Sequence, residues 1–351
     1  MLNWPMLVRA GQRMTVKNPG PLSDYAHERI EISPTETVVH TPALFPEGAL
    51  DKVTGLSPWR TWPQETELFQ GGPRTHLATT AFVVDDVTIS GPFVYKGATK
   101  YDAGYGKARL WRAQQGPATE IEEATLVSCF AGSRFFGPFL KDSLPQELLP
   151  DGGSQQITMR TKKYSHEPGY RTLFDLPAPP RIEYGRIRRL TFFQDFGQNA
   201  GKAARYRLMQ DRLRSQVGPR KQEPAKGIYL KRGQTGEARI LTNEQELEEY
   251  LVNMGFDVVE PAKLPADEVA RRTLDAPVVI SVEGSHISHV VYSMSRDGLL
   301  TVLQPPDRFA MAFKEFTDCI GLRFGFVVGD PTEGGFSVDL DTLRRFLDGV
   351  L

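Results

Sequence analysis

The sequence predicts an α/β protein, and three observations support this fold class. Of its 351 residues, 40% are apolar and 24% are charged, the composition of a folded protein with a sizeable core. From residue 227 onward, short runs rich in β-branched residues alternate with helical patterns, as they do around a parallel sheet. Residues 80–120 instead combine β-branched and aromatic residues with turn signals, which indicates short strands and hairpins.

A chain of this length is expected to form about two domains. The segment VGPRKQEPAKG, residues 217–227, carries Pro, Gly and charge between two periodic regions and is the best candidate linker. We therefore predict an N-terminal domain over residues 1–220, rich in β-strands at its start and then α/β. A C-terminal α/β domain is predicted over residues 221–351.

The start of the first domain is predicted to contain few long periodic elements. Residues 1–75 are rich in Pro, Gly and Trp and are expected to form loops, short strands and a short helix. Turns are expected at Asp85–Asp86 and at Ser90–Gly91.

The rest of the first domain contains clearer patterns. Buried strands are predicted over Ala124–Phe130 and over residues 186–195, and residues 135–149 are expected to form a loop that leads into a helix. Residues 202–216 are good helix formers, and three apolar side chains lie along one face of the predicted helix: Tyr206, Met209 and Leu213.

The second domain is predicted to alternate strands with helices. Thr242 and Gln245 have the spacing of a capping box at the start of the first helix. In such sheets ligands bind at the carboxyl ends of the strands, so the loops that follow them are the expected site. The predicted strands are GIYLKR, FDVVEP, APVVISVEG, GLLTVLQPP and LRFGFVVGD. The predicted helices run over Asn243–Met254 and Pro265–Thr273, from Ser285 onward, and over 308–321 and 339–351.

Charge and cysteine content argue against several classes of protein. Lys and Arg number 42 against 43 Asp and Glu, a balance that disfavours a dedicated nucleic-acid binder. Cys129 and Cys319 are too few for a disulfide scaffold or a cysteine zinc site, and we expect two buried thiols in a reducing compartment. No segment resembles a signal peptide or a membrane span. We expect a cytoplasmic protein and leave peripheral attachment to the inner membrane open.

A series of motifs resembles the family 61 glycosyltransferases of the bacterial capsular-polysaccharide type. The clearest motifs are YLKRG, RILTNEQEL, GFDVVEP, VVISVEGSHISH and LLTVLQPP, with looser matches at VDDVTISGPFVYKG, FFGPFLKDSLP and DFGQNAGKAARYR. The resemblance implies a GT-B fold, with two Rossmann-like domains facing across a cleft and the donor on the C-terminal one. It further implies inverting transfer from a nucleotide sugar to a glycan or lipid-linked glycan during capsule or exopolysaccharide synthesis. Such a fold does not need a metal, because cationic side chains can hold the diphosphate.

One motif departs from the family pattern. The family usually has Gly-His-x-x-x-Asp, whereas FFGPFLKD places Pro138 at the histidine position and keeps Asp142. The resemblance implies that Asp142 is the base that deprotonates the acceptor hydroxyl, while the alternative is an acidic residue near a helix start. The loss of the histidine raises a second hypothesis, a carbohydrate-binding or assembly protein that retains the fold without turnover.

Candidate donor-binding residues follow two predicted strands. Arg232 could bind phosphates bidentately, and strand alternation sends the neighbouring Lys231 to the opposite side. Arg239 is a second phosphate candidate, with an exposed surface arginine as the alternative. Asn243 is matched by the family segment and could equally serve only the helix start.

The Glu283–His286 loop completes the predicted donor site. Glu283 could hold ribose hydroxyls, Gly284 allows close backbone approach, and the N–H groups of Ser285 and His286 could face a phosphate. Ser285 could instead be only a helix cap. His286 and His289 are three residues apart and are candidates for substrate contact; as a metal pair in a hydrolase they lack a third ligand nearby.

Two residues of the predicted helix 202–216 are further candidates. GQNAGKA has three residues between its glycines and Ala203 where a phosphate loop has Ser or Thr, so a phosphate loop is discounted. Lys202 and Arg205 are nevertheless expected to line the cleft.

Overall fold

The computed structural model describes residues 3–107, 119–149, 152–219, 225–233 and 237–350. They form a mixed α/β fold with several sheets. The chain divides into two compact units. Unit 1 consists of Met1–Glu36, His76–Glu167 and Asp175–Arg205, and unit 2 consists of Thr37–Thr75, Pro168–Phe174 and Tyr206–Leu351.

The predicted linker 217–227 includes residues 220–224, which lie outside the described residues. The division between residues 220 and 221 therefore stays a prediction.

The helices include both long elements and single turns. Short 3₁₀ turns occur at Leu22–Tyr25, Ala49–Lys52, Pro261–Lys263 and Ser285–His289, and Phe139–Ser143 is a π-helical turn. The α-helices are α1 (Trp4–Gln12), α2 (Trp62–Gln70), α3 (Phe130–Arg134), α4 (Phe136–Pro138), α5 (Leu144–Gln146), α6 (Glu167–Phe174), α7 (Ala200–Val217), α8 (Glu244–Asn253), α9 (Ala266–Thr273), α10 (Lys314–Ile320) and α11 (Leu340–Val350).

The strands form one large sheet in each unit, together with two small pairs. They are β1 (Glu28–Ser33), β2 (Glu36–His40), β3 (Gly72–His76), β4 (Thr79–Ser90), β5 (Phe93–Lys96), β6 (Thr99–Asp102), β7 (Thr119–Leu126), β8 (Gln155–Ile157), β9 (Tyr184–Gln194), β10 (Gly227–Leu230), β11 (Phe256–Val259), β12 (Val278–Val282), β13 (Leu299–Gln304), β14 (Arg323–Val328), β15 (Asp330–Thr332) and β16 (Gly335–Ser337).

Unit 1 is built on a seven-stranded mixed sheet in the order β6-β5-β4-β9-β7-β8, with β1 also pairing with β4. β4 and β9 are antiparallel, whereas β7 is parallel to both β9 and β8. The predicted hairpin around Ser90–Gly91 and the strand predicted over residues 186–195 are confirmed as the β4–β5 turn and β9. The strand predicted over Ala124–Phe130 is only partly correct, because it overlaps the buried end of β7 at residues 124–126 and Phe130 begins α3. The mixed sheet does not confirm a Rossmann-like domain in this unit.

The turn predicted at Asp85–Asp86 is wrong. β4 continues through this point, and Asp85 pairs with Arg189 while Val87 pairs with Ile187. Asp86 is the unpaired residue between them and has a φ of 49°. Asp tolerates this left-handed conformation, and the pairing register with β9 is the same on both sides of Asp86, so the Asp pair does not end the strand.

Unit 2 contains the predicted parallel sheet, with the strand order β11-β10-β12-β13-β14. All four neighbouring pairs are parallel. Burial of every residue of β10, β12 and β13 explains why these strands appear in the sequence as continuous apolar runs. The α/β alternation predicted for this part of the chain is confirmed.

Three predicted helices differ from the structure. The helix predicted from Ser285 is only a 3₁₀ turn that ends at His289, and the one predicted over 308–321 is reduced to α10. Residues 1–75 contain two α-helices, α1 and α2, where one short helix is predicted. Helix α7 matches its prediction, and Tyr206, Met209 and Leu213 are all buried in unit 2.

Candidate functional site

The strand order of unit 2 creates a crevice between β10 and β12. From β10 the chain moves to β11 on one side, and it then returns to add β12 on the other side. The two strands are parallel neighbours, with Leu230 opposite Ser281. The loops that leave their carboxyl ends diverge, and this is the point in an open parallel sheet where ligands bind. Arg232 follows β10 and Glu283 follows β12, so the structure brings these two predicted residues together.

Arg232 is held by backbone carbonyl groups. Its Nη1 donates a hydrogen bond to the Glu283 carbonyl oxygen at 2.7 Å, and its Nη2 donates to the Glu237 carbonyl oxygen at 2.6 Å. Lys231 points the other way, as strand alternation predicts, and its ammonium contacts Glu244 and Glu248 of α8. Arg232 is therefore the cation of this pair that faces the crevice.

Glu283 pairs with a second predicted arginine. Arg239 Nε lies 2.6 Å from Glu283 Oε2, and the two side chains are only 11% and 8% exposed. Burial raises the pKa of Glu283, although Arg239, Arg232 and Arg308 act in the opposite direction. The carboxylate thus sits among guanidinium groups that outnumber it.

Arg308 is a third guanidinium at this position, and sequence reasoning missed it. It lies in the loop after β13 and forms an ion pair with the Glu237 side chain. Its Nε is buried and has no hydrogen-bond partner among the described residues. The sequence could have indicated it, because Arg308 lies four residues after the end of β13. The carboxyl end of β13 lies beside those of β10 and β12 in the sheet.

The three arginines affect one another, and we call Arg232, Arg239 and Arg308 the arginine cluster. Burial lowers the pKa of Arg232 to about 10, and repulsion from Arg239 and Arg308 contributes. The full cluster carries three positive charges against the two carboxylates of Glu237 and Glu283. Concentrated positive charge with an unused buried donor is suited to an anionic ligand.

His286 is neutral within this positive field. Its Nε2 lies 2.7 Å from the Ser281 hydroxyl. Burial and, to a smaller extent, the neighbouring Arg232 and Arg239 together lower its pKa to about 3. The imidazole therefore offers hydrogen bonding at neutral pH but no charge.

The other predicted donor-site residues have separate surroundings. His289 is buried, and its Nδ1 lies 2.7 Å from the Tyr170 hydroxyl, so the two histidines have different partners and the structure gives no support to a metal pair. The Asn243 amide donates to the Val338 carbonyl at 2.9 Å and accepts from the Val338 N–H at 3.0 Å. Ser285 is exposed.

A long-range hydrogen bond explains why the predicted capping box does not form. The Thr242 hydroxyl donates to the Phe336 carbonyl, and Asn243 is the residue that precedes α8, without a capping bond from its side chain. Because the turn at Ser285 is short, its N–H groups also do not form the helix N-terminus that the sequence predicts.

Asp142 lies in unit 1, on the helical stretch that runs from α4 to α5. This stretch replaces the predicted loop, and Pro138 precedes Asp142 by one turn. The Asp142 side chain is 32% exposed, and its Oδ1 accepts a hydrogen bond from Lys202 Nζ at 3.1 Å. Of the phenylalanines that precede Asp142 in the chain, Phe139 is buried whereas Phe135 is 37% exposed.

Lys202 is fully buried beneath Asp142, so the prediction that it lines a cleft is wrong. Its ammonium also donates to the Asp195 carbonyl oxygen at 2.9 Å. Burial lowers the pKa of Lys202, but attraction to Asp142 and Asp195 outweighs this effect and raises the pKa above its ordinary value. Lys202 therefore remains charged and fixes one oxygen of Asp142.

The carboxylate of Asp195 organises the base of this site, and sequence reasoning missed it too. Arg205 binds it with two hydrogen bonds, of 3.0 and 2.7 Å, and the Thr79 hydroxyl donates to it at 2.8 Å. The Arg205 side chain is only 9% exposed, so it too is a structural partner. The sequence DFGQNAGKAAR could have indicated this role, because Asp195 shortly precedes the helix that carries Lys202 and Arg205.

Both cysteines are half-buried thiols outside any disulfide of the described residues, a partial correction of the expected buried thiols. Cys129 Sγ lies 3.4 Å from the Ser143 hydroxyl, next to Asp142 along the chain. Burial raises the pKa of the Cys129 thiol, and Asp142 adds to this effect. The thiol is therefore protonated at neutral pH and is not an activated nucleophile.

No helix in the described part of the chain is both long and apolar enough to span a bilayer. Among the described residues, no group of three His, Cys, Asp or Glu side chains is arranged to hold a metal ion.

Comparison with known proteins supports the resemblance noted in the sequence. No curated protein matches the chain significantly. The model of the family Glycosyltransferase 61 matches residues 136–301, a range that contains Asp142, Lys202, Arg232, Arg239 and Glu283. This match, over 166 of 351 residues, supports a family 61 glycosyltransferase.

Proposed function

We propose that this chain is an inverting glycosyltransferase that takes its sugar from a nucleotide-sugar donor during polysaccharide synthesis. The observation that carries the proposal is the arginine cluster at the crevice of the unit 2 sheet. Three guanidinium groups converge there around one buried carboxylate. A diphosphate is the anion that fits such a set, because its oxygens accept paired N–H donors.

The charge balance explains how the cluster would assist the reaction. Three arginines against Glu237 and Glu283 leave an excess of one positive charge before any ligand binds. Transfer of the sugar leaves the diphosphate with an additional negative charge. Preorganised cations that face the developing charge stabilise the transition state more than the bound donor. We propose that the guanidinium groups fill this role and that a metal ion is not essential.

Asp142 is the proposed general base of the same reaction. Lys202 holds its Oδ1, whereas its Oδ2 accepts no hydrogen bond from a described residue. The side chain is 32% exposed, which leaves Oδ2 accessible to an acceptor hydroxyl. A fixed carboxylate with one available oxygen is the geometry that general-base catalysis needs.

The finer parts of the proposal follow the family resemblance. They include the GT-B arrangement, a glycan or lipid-linked glycan acceptor, and a role in capsule or exopolysaccharide synthesis. We propose that the enzyme acts in the cytoplasm and that Glu283, Gly284, His286 and Arg239 contribute to the donor site. Ser285, Asn243 and His289 remain candidates for that site.

Calorimetric titration with nucleoside diphosphates and sugar nucleotides tests the donor site. We expect binding by the unaltered chain and a loss of about tenfold to a hundredfold in affinity for Arg232→Ala, because a charged hydrogen bond is removed. The matched control is Arg207→Ala, an exposed arginine on α7. Equal affinity in Arg232→Ala and the unaltered chain would remove the proposed phosphate role.

A second function, a carbohydrate-binding or assembly protein without turnover, is favoured by one observation. Pro138 occupies the family's histidine position, one turn before Asp142 on the same helical stretch. This function predicts donor binding without transfer to any acceptor in a panel, and a gain of transfer in Pro138→His. Transfer by the unaltered chain would exclude it.

A further inference from the structure

We infer that helix α1 and the turn that follows it, residues 4–17, dock on an anionic lipid surface. This inference goes beyond the proposed function and does not depend on it. It rests on exposed apolar side chains, on a one-sided anchoring of the helix, and on the sign of its charge.

Several large apolar side chains of this segment are exposed. None of the residues of α1 is buried. Trp4 and Val8, one helical turn apart on the same face, are 64% and 41% exposed. Met14 and Val16 in the following turn are 85% and 43% exposed. A group of large apolar side chains in water marks an interaction surface more often than a scattered single residue does.

The opposite side of the helix is anchored to unit 1. Asn3 is buried at the N-cap, where its Oδ1 accepts a hydrogen bond from the Ser90 hydroxyl at 3.0 Å. The same oxygen lies 3.4 Å from the Met6 N–H, and α1 packs against β5. The anchoring orients the helix so that Trp4 and Val8 stay on the outside.

The charge of the segment favours an anionic lipid partner. Residues 3–23 contain Arg9, Arg13 and Lys17 and no Asp or Glu. Arg13 and Lys17 are exposed and form no ion pair with a described residue. Basic residues combined with Trp and aliphatic side chains on one surface are typical of helices that lie in the headgroup region of a bilayer. Anionic headgroups attract each Lys or Arg near the surface.

The test is co-sedimentation of the full chain with vesicles. One set of vesicles contains phosphatidylcholine alone, and the other contains equal parts of phosphatidylcholine and phosphatidylglycerol. We expect binding to the anionic set only, and weaker binding as salt is added. Arg13→Glu/Lys17→Glu is expected to bind at least about thirtyfold more weakly. Trp4→Ser/Val8→Ser is also expected to bind more weakly, because less apolar surface enters the bilayer.

Matched controls separate this surface from general effects of charge or polarity. Arg207→Glu/Lys163→Glu changes the net charge equally at two exposed positions elsewhere. Leu208 is 42% exposed, close to the 41% of Val8, so Leu208→Ser controls for the loss of an apolar side chain. Both controls should bind like the unaltered chain. Thermal melting should be the same for all variants, because the altered side chains are exposed.

Tryptophan fluorescence gives an independent measurement. The Trp4 emission, obtained as the difference between the unaltered chain and Trp4→Phe, should shift to shorter wavelength on anionic vesicles. Equal binding to both vesicle types, or full binding by Arg13→Glu/Lys17→Glu, would overturn the inference. Binding to soluble polyglutamate without binding to vesicles would overturn it as well and would indicate an acidic macromolecule.

Discussion

Arg232 and Gly284 approach each other so closely that a Cβ atom at position 284 would lie 1.7 Å from Arg232 Nη1. The approach lets the guanidinium reach the Glu283 carbonyl oxygen at 2.7 Å. Gly284 also has a φ of 156°, a conformation that residues with a Cβ rarely adopt. Position 284 therefore needs glycine for two reasons, and the arrangement of the arginine cluster depends on it.

The substitution Gly284→Ala is expected to displace Arg232 and to weaken binding of a nucleoside diphosphate. Loss of a charged hydrogen bond predicts a decrease in affinity of about tenfold to a hundredfold, measured by calorimetric titration. Gly349→Ala is the matched control, because a Cβ there meets no atom within 4 Å. Full affinity in Gly284→Ala would show that the position of Arg232 does not matter for binding.

Glu283 makes the free energy of unfolding depend on pH. Its folded-state pKa is raised above the ordinary value of 4.5, so the folded protein binds this proton more tightly than the unfolded chain does. Stability is therefore lost as pH rises from 4.5 to the raised pKa. Gln at position 283 does not titrate. The free energy of unfolding of Glu283→Gln, relative to that of the unaltered chain, should therefore increase as pH rises from 4.5 to the raised pKa. Urea unfolding at several pH values measures the difference; a difference that does not change with pH would contradict a raised pKa.

The sequence predicts much of unit 2, because its strands are buried on both faces. Full burial produces the continuous apolar runs of β10, β12 and β13, which are easy to recognise. The contact between Arg232 and Glu283 could also be anticipated, since both follow strands of one parallel sheet. Which strands lie next to each other, by contrast, depends on chain topology. The sequence analysis therefore did not place Arg308, which follows β13, beside Arg232 and Glu283.

The errors come from places where long-range contacts override local signals. Thr242 and Gln245 have capping-box spacing, but the Thr242 hydroxyl bonds to Phe336, far away in the chain. Lys202 and Asp195 look like ordinary polar residues of an exposed segment. Their burial depends on packing that joins separate parts of unit 1, which a single sequence does not reveal.

His286 is expected to remain neutral in mildly acidic solution. Its pKa is lowered from 6.5 to about 3 by burial and by Arg232 and Arg239, so the folded state disfavours the protonated ring. The free energy of unfolding therefore decreases as pH falls from 6.5 toward 3. NMR titration of the ring should show no protonation between about pH 7 and pH 5, whereas an unperturbed histidine side chain, with a pKa of about 6.5, is mostly protonated at pH 5. Ring protonation of His286 near pH 6.5 would contradict the positive field around it.

The effects of substitutions at Lys202 and Asp142 on the free energy of unfolding are expected to be coupled. Lys202→Met breaks a buried ion pair and leaves polar groups without their partner, which predicts a loss of about 3–5 kcal/mol in the free energy of unfolding. Asp142→Asn should cost less, because Asp142 is 32% exposed and solvent screens its charge. In a double-mutant cycle by urea unfolding, the coupling energy should be about 1 kcal/mol.

The control is Lys163→Met at an exposed lysine, which should show no coupling to Asp142→Asn. Because Lys202→Met could fail to fold, the cycle is repeated with Lys202→Gln, and a coupling near zero in the folded variants would show that Lys202 does not hold Asp142.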